Sequence, residues 1–109
     1  MALTHAKHGQ LIDLKPLADE RTDSPSTSLI KTQQLQLMHV VLHAGQQLPE
    51  HKVAGEISIQ CLAGRVQLRT PGITTPLTAG QLIVLSAGEP HALVAEQDCC
   101  LLVTLVLKH

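Results

Sequence analysis

GQQLPEHKVAGEISIQCLAG, residues 45–64, carries a clear strand pattern before its last glycine. In residues 56–62 polar and apolar side chains alternate, which is the period of a half-buried strand. Residues 47–53 form a second possible strand, which Pro49 interrupts because proline cannot donate a ladder hydrogen bond. The segment therefore predicts two short strands closed by a turn at Ala63-Gly64. In the strand predicted over residues 56–62, three side chains share one face: Ile57, Ile59 and Cys61.

Short apolar runs between turn residues continue on both sides of this segment. Residues 34–43 alternate in their first part, and residues 65–69 alternate and end at the turn signal Pro71-Gly72. Pro76 lies in the next run, residues 73–77, and predicts an edge position for it. Three further runs follow, residues 81–85, 90–95 and 99–108. We expect eight to ten short strands, a spacing typical of an all-β sandwich or barrel.

The N-terminal part differs in composition from the rest. Residues 1–10 are polar, residues 11–17 predict an extended segment or short strand ending at Pro16, and residues 18–28 predict a surface loop. This part is too short to fold alone. We therefore expect residues 1–28 to be an N-terminal segment and loop, and residues 29–109 to be the β-barrel domain.

Composition excludes several classes of function. The 109 residues fit one domain and are 44% hydrophobic, but they include no Phe, Tyr or Trp. Aromatic stacking on bases is therefore impossible, and a net charge of −1 supplies no field to attract phosphates or anionic lipid. We expect no nucleic-acid partner and no membrane partner.

The three cysteines point to a reducing compartment. Their number is odd, Cys99 and Cys100 are adjacent, and no CxxC motif occurs, so neither a disulfide framework nor a structural zinc knot is expected. The N-terminus lacks the apolar region of a signal peptide, and the longest apolar run, residues 99–107, is too short to cross a bilayer. We therefore expect a cytoplasmic protein with buried cysteines.

Two spaced motifs resemble those of the cupin superfamily. In the first, five residues separate Gly45 from His51, and Gly64 closes the motif at the distance of its shorter form. In the second, Gly80 precedes Gly88 and His91 in register, while Ser86 replaces a proline and Ala95 an asparagine. We expect the glycines at sharp turns or at positive φ. The resemblance covers about residues 29–108 and implies a double-stranded β-helix (jelly-roll) barrel of the small RmlC-like, cupin type-2 kind.

The resemblance also implies where a metal would sit. Cupins hold a divalent metal with two histidines and a glutamate of the first motif and a histidine of the second. Carried over by position, these ligands fall on His51, Val53, Ile57 and His91, so two of the four are lost. Two imidazoles without a carboxylate are expected to bind Zn²⁺, Ni²⁺, Fe²⁺ or Mn²⁺ only weakly, if at all.

Other side chains near the motif positions are poor replacements for the two lost metal ligands. Glu56 is one residue away from the ligand position, so we expect it to point outward unless a bulge at Gly55 turns it inward as an extra ligand. Cys61 shares the inner face with Ile57, but apolar surroundings oppose its ionisation. His39 and His43 are expected on the outer face of their strand.

Three functions remain open from the sequence. The first is a cupin that binds a small molecule in the barrel, lined by Val53, Ile57, Ile59 and Cys61, beside a degenerate metal site at His51 and His91. The alternative is a metal-dependent cupin enzyme (a dioxygenase, isomerase or decarboxylase) that uses the same two histidines, an argument from fold analogy. Metal-free acid–base catalysis by the two imidazoles is the third. No catalytic residue is predicted. Because sheet edges favour pairing, a homodimer is also expected.

Overall fold

The computed structural model describes residues 6–15 and 26–108, and this part of the chain is built of β-strands. Nine strands occur in it: β1 Thr27–Lys31, β2 Leu35–Leu42, β3 Gln47–His51, β4 Ile57–Ala63, β5 Arg65–Thr70, β6 Ile73–Thr78, β7 Leu82–Leu85, β8 His91–Ala95 and β9 Cys99–Val106. Within the described ranges, no helix is long and apolar enough to cross a membrane.

The strands form two antiparallel sheets. One has the order β1-β2-β9-β4-β7, and the other has the order β3-β8-β5-β6. Apolar side chains from both sheets pack together between them, and five are at most 1% exposed: Ile59, Cys61, Val66, Leu68 and Leu101. The alternation seen in the sequence is the cause, since every second side chain of each strand points into this shared core.

The strand predictions are confirmed from residue 34 onward. Each expected run forms a strand, and β6, which contains Pro76, lies at the edge of its sheet. The predicted loop over residues 18–28 is wrong at its last two positions, because Thr27 and Ser28 pair with β2. Residues 11–14 are described and form no strand. Pro16 and residues 18–25 lie outside the described residues, and the domain boundary stays a prediction.

The glycines of the two motifs adopt the conformation expected of them. Gly45, Gly64, Gly80 and Gly88 all have positive φ, between 77° and 90°. At Gly64 a side chain is excluded twice over, because an added Cβ would also lie 2.2 Å from the carbonyl oxygen of Asp98. The spacing of the motif therefore reflects turns that only glycine makes without strain.

Within the strand order of the described residues, four strands lie at sheet edges: β1 and β7 in the larger sheet, and β3 and β6 in the smaller. The outer edge of β1 accepts one backbone hydrogen bond, from the N–H of Ala6 to the carbonyl oxygen of Leu29 at 2.8 Å. Leu82 and Val84 of β7 are more than half exposed. Such edges are where two copies of a small barrel commonly pair. The homodimer stays a prediction.

Candidate functional site

Two histidines lie opposite each other on neighbouring strands. His51 ends β3, His91 begins β8, and the two residues are direct cross-strand partners. Their ring centroids are 4.4 Å apart, and the ring planes are tilted by 57°. His91 is only 1% exposed, whereas His51 is exposed to solvent. The pair expected from the sequence motifs therefore forms, with His91 deep and His51 at the surface.

Both imidazole rings are held in the same way, each by the carbonyl oxygen of the residue two positions earlier in the chain. His51 Nδ1 lies 3.0 Å from the carbonyl oxygen of Pro49, and His91 Nδ1 lies 3.0 Å from that of Glu89. A carbonyl oxygen only accepts, so each Nδ1 carries a proton and donates it. In the neutral ring the other nitrogen, Nε2, then has a free lone pair.

A cavity of about 190 Å³ lies between the sheets beside this pair. Apart from the two imidazoles its walls are apolar, and both sheets contribute to them: Met38, Val40, Leu48, Val53, Ile57, Ile59, Leu93, Val103 and Leu105. Its volume is somewhat above the roughly 150 Å³ of an apolar protein cavity that stays dry and binds benzene.

The two positions that lost their metal ligands are part of this cavity. Val53 is half-buried and Ile57 is buried, and both line the wall beside the histidine pair. The register carried over from the motifs thus brings all four positions to one cavity. Aliphatic side chains occupy two of them, so the wall is apolar where a metal would need donors.

Glu56 and Cys61 do not join the cavity. Glu56 is exposed and lies with Ser58, Val84 and Val106 in a groove on the outer face of the larger sheet. No bulge turns it inward, because Ile57, the next residue, already pairs regularly with β7 and β9. Cys61 is fully buried in the core but is absent from the cavity wall.

The environment of Cys61 also opposes metal binding. Its Sγ donates to the carbonyl oxygens of Ala63 and Gly64, at 3.4 and 3.6 Å. Burial raises the pKa of the thiol, so the thiolate that a metal requires is disfavoured.

Several residues that line the cavity were not predicted from the sequence. Met38 and Val40 of β2, and Val103 and Leu105 of β9, line the cavity. The alternation of β2 was visible, but its direction was ambiguous because apolar residues occur on both faces. His39 points to the outer face, as expected, yet is only 1% exposed.

The fold has many structural relatives. An RmlC-like cupin from Desulfovibrio desulfuricans superposes with a TM-score of 0.70 at 26% identity, over 94% of this chain and 97% of that one. A cupin superfamily protein from Desulfitobacterium hafniense superposes with a TM-score of 0.80 at 16% identity, over 99% and 100% of the two chains. By fold, the chain is a cupin.

A third similar structure belongs to a protein whose function is unknown, so this fold alone does not identify an activity. It is a conserved protein of unknown function from Streptococcus pyogenes, with a TM-score of 0.78 and 26% identity over 100% of this chain and 99% of that one. No protein-family model matches the sequence. No curated protein matches it either.

The side chains present do not fit the metal of a typical cupin. Among residues 6–15 and 26–108, no group of three or more His, Cys, Asp or Glu side chains is placed to hold a metal ion. Two imidazoles facing an aliphatic wall leave most of a coordination sphere to water.

Proposed function

We propose that this cupin binds a small, largely aliphatic molecule in the cavity between its sheets, with His51 and His91 as the polar contacts. The cavity itself carries the proposal: about 190 Å³ enclosed by aliphatic side chains beside two imidazoles. Ligand sites are typically apolar clefts with a few polar groups that fix orientation.

The size and lining of the cavity limit the ligand. A ligand of roughly six to nine non-hydrogen atoms suits this volume, by comparison with the smaller cavity that accepts benzene. Since the chain contains no Phe, Tyr or Trp, binding rests on aliphatic contacts and on the imidazoles. For ligands of this size, burial of apolar surface supplies most of the binding free energy.

The metal-dependent enzyme is less well supported. Val53 and Ile57 stand where two ligands would be needed, and Glu56 lies on the outer face. A stoichiometric transition metal in purified protein, found by elemental analysis and lost in both His51→Ala and His91→Ala, would favour the enzyme and count against the proposal.

The ligand-binding proposal is tested by methyl NMR with 1-hexanol and 2-hexanone as probes. We expect shifts in the methyl signals of Val53, Ile57 and Ile59, which line the cavity, and none in that of Val84, which lies outside it. Val53→Phe fills the cavity and should abolish the shifts. Val84→Phe, an equal change on the outer face, should leave them. Absence of shifts in the unmodified protein, or equal effects of the two variants, would overturn the proposal.

A further inference from the structure

The protonation pattern of the histidine pair restricts the head group of the ligand. Both rings donate Nδ1–H to backbone carbonyl oxygens, of Pro49 and Glu89, at 3.0 Å. Within the described residues, neither Nε2 takes part in a hydrogen bond. In the neutral form, each imidazole therefore keeps an acceptor at Nε2 and has no donor left.

The buried ring makes this restriction strong. His91 is 1% exposed, so a ligand that seals the cavity also removes water from His91 Nε2. An acceptor left without a donor in an apolar site loses its hydration without replacement. His51 is exposed, and water can satisfy its Nε2. A ligand that supplies a donor directed at His91 is therefore bound more tightly than one of the same size without a donor.

Charged head groups, whether an ammonium or a carboxylate, do not suit the cavity. An ammonium has donors, but the carboxylates nearest the cavity in sequence do not line it: Glu50 is exposed and outside the wall, Glu56 is on the outer face, and Glu89 accepts from the backbone N–H of Ser86. Placing a cation among aliphatic side chains without an anion is strongly unfavourable. A carboxylate has only acceptors, which face the lone pair of Nε2. Among neutral donors, a hydroxyl brings the least polar surface into the cavity, because an amide also adds a carbonyl acceptor for which the apolar wall has no donor.

We infer that the cavity selects small aliphatic alcohols, whose hydroxyl donates to Nε2 of His91 while the carbon chain fills the space beside Val53, Ile57 and Ile59. This inference rests on the proposed function, since it concerns the same cavity. It adds the chemical class of the ligand and a hydrogen bond of stated direction.

Four six-carbon probes test the inference by isothermal titration at about pH 8, where a free imidazole is neutral. They are 1-hexanol, 2-hexanone, hexanoate and hexylamine. We expect 1-hexanol to bind about tenfold more tightly than 2-hexanone, which is the effect of one net hydrogen bond. Hexanoate and hexylammonium should bind more weakly than either.

Two variants locate the preference. His91→Leu removes the acceptor, so the preference for alcohol over ketone should fall to within about twofold, while ketone binding persists. His43→Leu is the matched control, because His43 is exposed and outside the cavity, and it should keep the tenfold preference. Should His91→Leu fail to fold, imidazole ¹⁵N spectra of the unmodified protein still test the premise. They should show a protonated Nδ1 and an unprotonated Nε2 in both rings.

The outcomes separate this inference from the proposed function. Equal affinity for alcohol and ketone, tighter binding of an ion, or protonated Nε2 in the neutral rings would overturn the alcohol inference and leave the ligand-binding cavity. Absence of binding by all four probes would overturn both.

Discussion

Rebuilding the lost metal ligands gives the sharpest test of the register between this chain and metal-binding cupins. The double variant Val53→His, Ile57→Glu would place four donors around one cavity, because both positions line it beside His51 and His91. We expect this variant to bind Zn²⁺ or Mn²⁺ tightly. The unmodified protein should bind either ion only weakly, since its two imidazoles lack a carboxylate.

The magnitude follows from burial. Ile57 is 4% exposed, so its replacement by Glu loses about 1.5–3 kcal/mol of apolar burial and adds the desolvation of a carboxyl group. Without metal we expect the variant to lose about 3–5 kcal/mol, a large part of a small domain's stability. Free metal at about 1,000 times its Kd restores roughly 4 kcal/mol. That corresponds to a rise in Tm on the order of 15–30 °C.

The assay is thermal unfolding by circular dichroism, with metal and with a chelator. The matched control is Val53→His, Ser58→Glu, which adds the same two side chains but directs the carboxylate to the outer face, where Ser58 lies. The Ile57 variant should gain more stability from metal than the control, which brings three histidines but no carboxylate to the cavity, and the difference should be largest with Mn²⁺, which prefers oxygen ligands. If the Ile57 variant is folded and gains no more than the control, the assignment of Val53 and Ile57 to ligand positions is wrong.

Three further predictions concern stability. Gly64→Ala should lower the free energy of unfolding by more than about 2 kcal/mol, because the added Cβ would meet the backbone at positive φ. Gly72→Ala, also at positive φ but in open space, should lower it by about 1 kcal/mol. Urea unfolding measures both losses, and equal losses would contradict the steric argument. Ile59→Ala, at a site 1% exposed, should cost about 2–5 kcal/mol in the same assay, against less than about 0.5 kcal/mol for Val84→Ala, which is 58% exposed. Burial and the neighbouring thiols raise the pKa of the Cys99 thiol to about 12, so its contribution to stability is complete below about pH 9 and is lost as pH rises from there towards 12. The free energy of unfolding of a Cys99→Ala variant should therefore decline less over that range than that of the unmodified protein. An unchanged decline would argue against this assignment.

Much of the fold could be predicted because its signals are local. Alternating side chains marked β4 and β5, proline marked the edge strand β6, and glycines marked turns that later proved to have positive φ. The last two residues of the predicted N-terminal loop were missed for a non-local reason. Thr27 and Ser28 become strand by pairing with β2, across a separation of about ten residues, and nothing in their own composition indicates it.

The candidate site was only partly predictable. Motif spacing brought His51, Val53, Ile57 and His91 together, and one residue of offset correctly placed Glu56 outside. Cys61 was expected in the wall with Ile59, two residues away on the same face, but it lies in the core outside the cavity. Periodicity assigns a face of the strand. It does not say where along that face the cavity ends, which depends on packing between the sheets.

The anchoring of the two imidazoles lay beyond any sequence argument. It depends on the backbone of β3 and of the segment before β8 placing a carbonyl oxygen 3.0 Å from each Nδ1. No residue type signals this contact, because both acceptors belong to the main chain. Which ring nitrogen keeps the free lone pair, and with it the proposed class of ligand, comes from the structure alone.

The central claim is that the cavity beside His51 and His91 takes an organic molecule rather than a resident metal. It is tested most directly by high-resolution diffraction from crystals grown with 1-hexanol, measured on both sides of the transition-metal absorption edges. We predict elongated density among the aliphatic side chains, with an oxygen at hydrogen-bonding distance from His91 Nε2 and no anomalous peak. An anomalous peak between the imidazoles, or a cavity holding only ordered water at saturating 1-hexanol, would contradict the account.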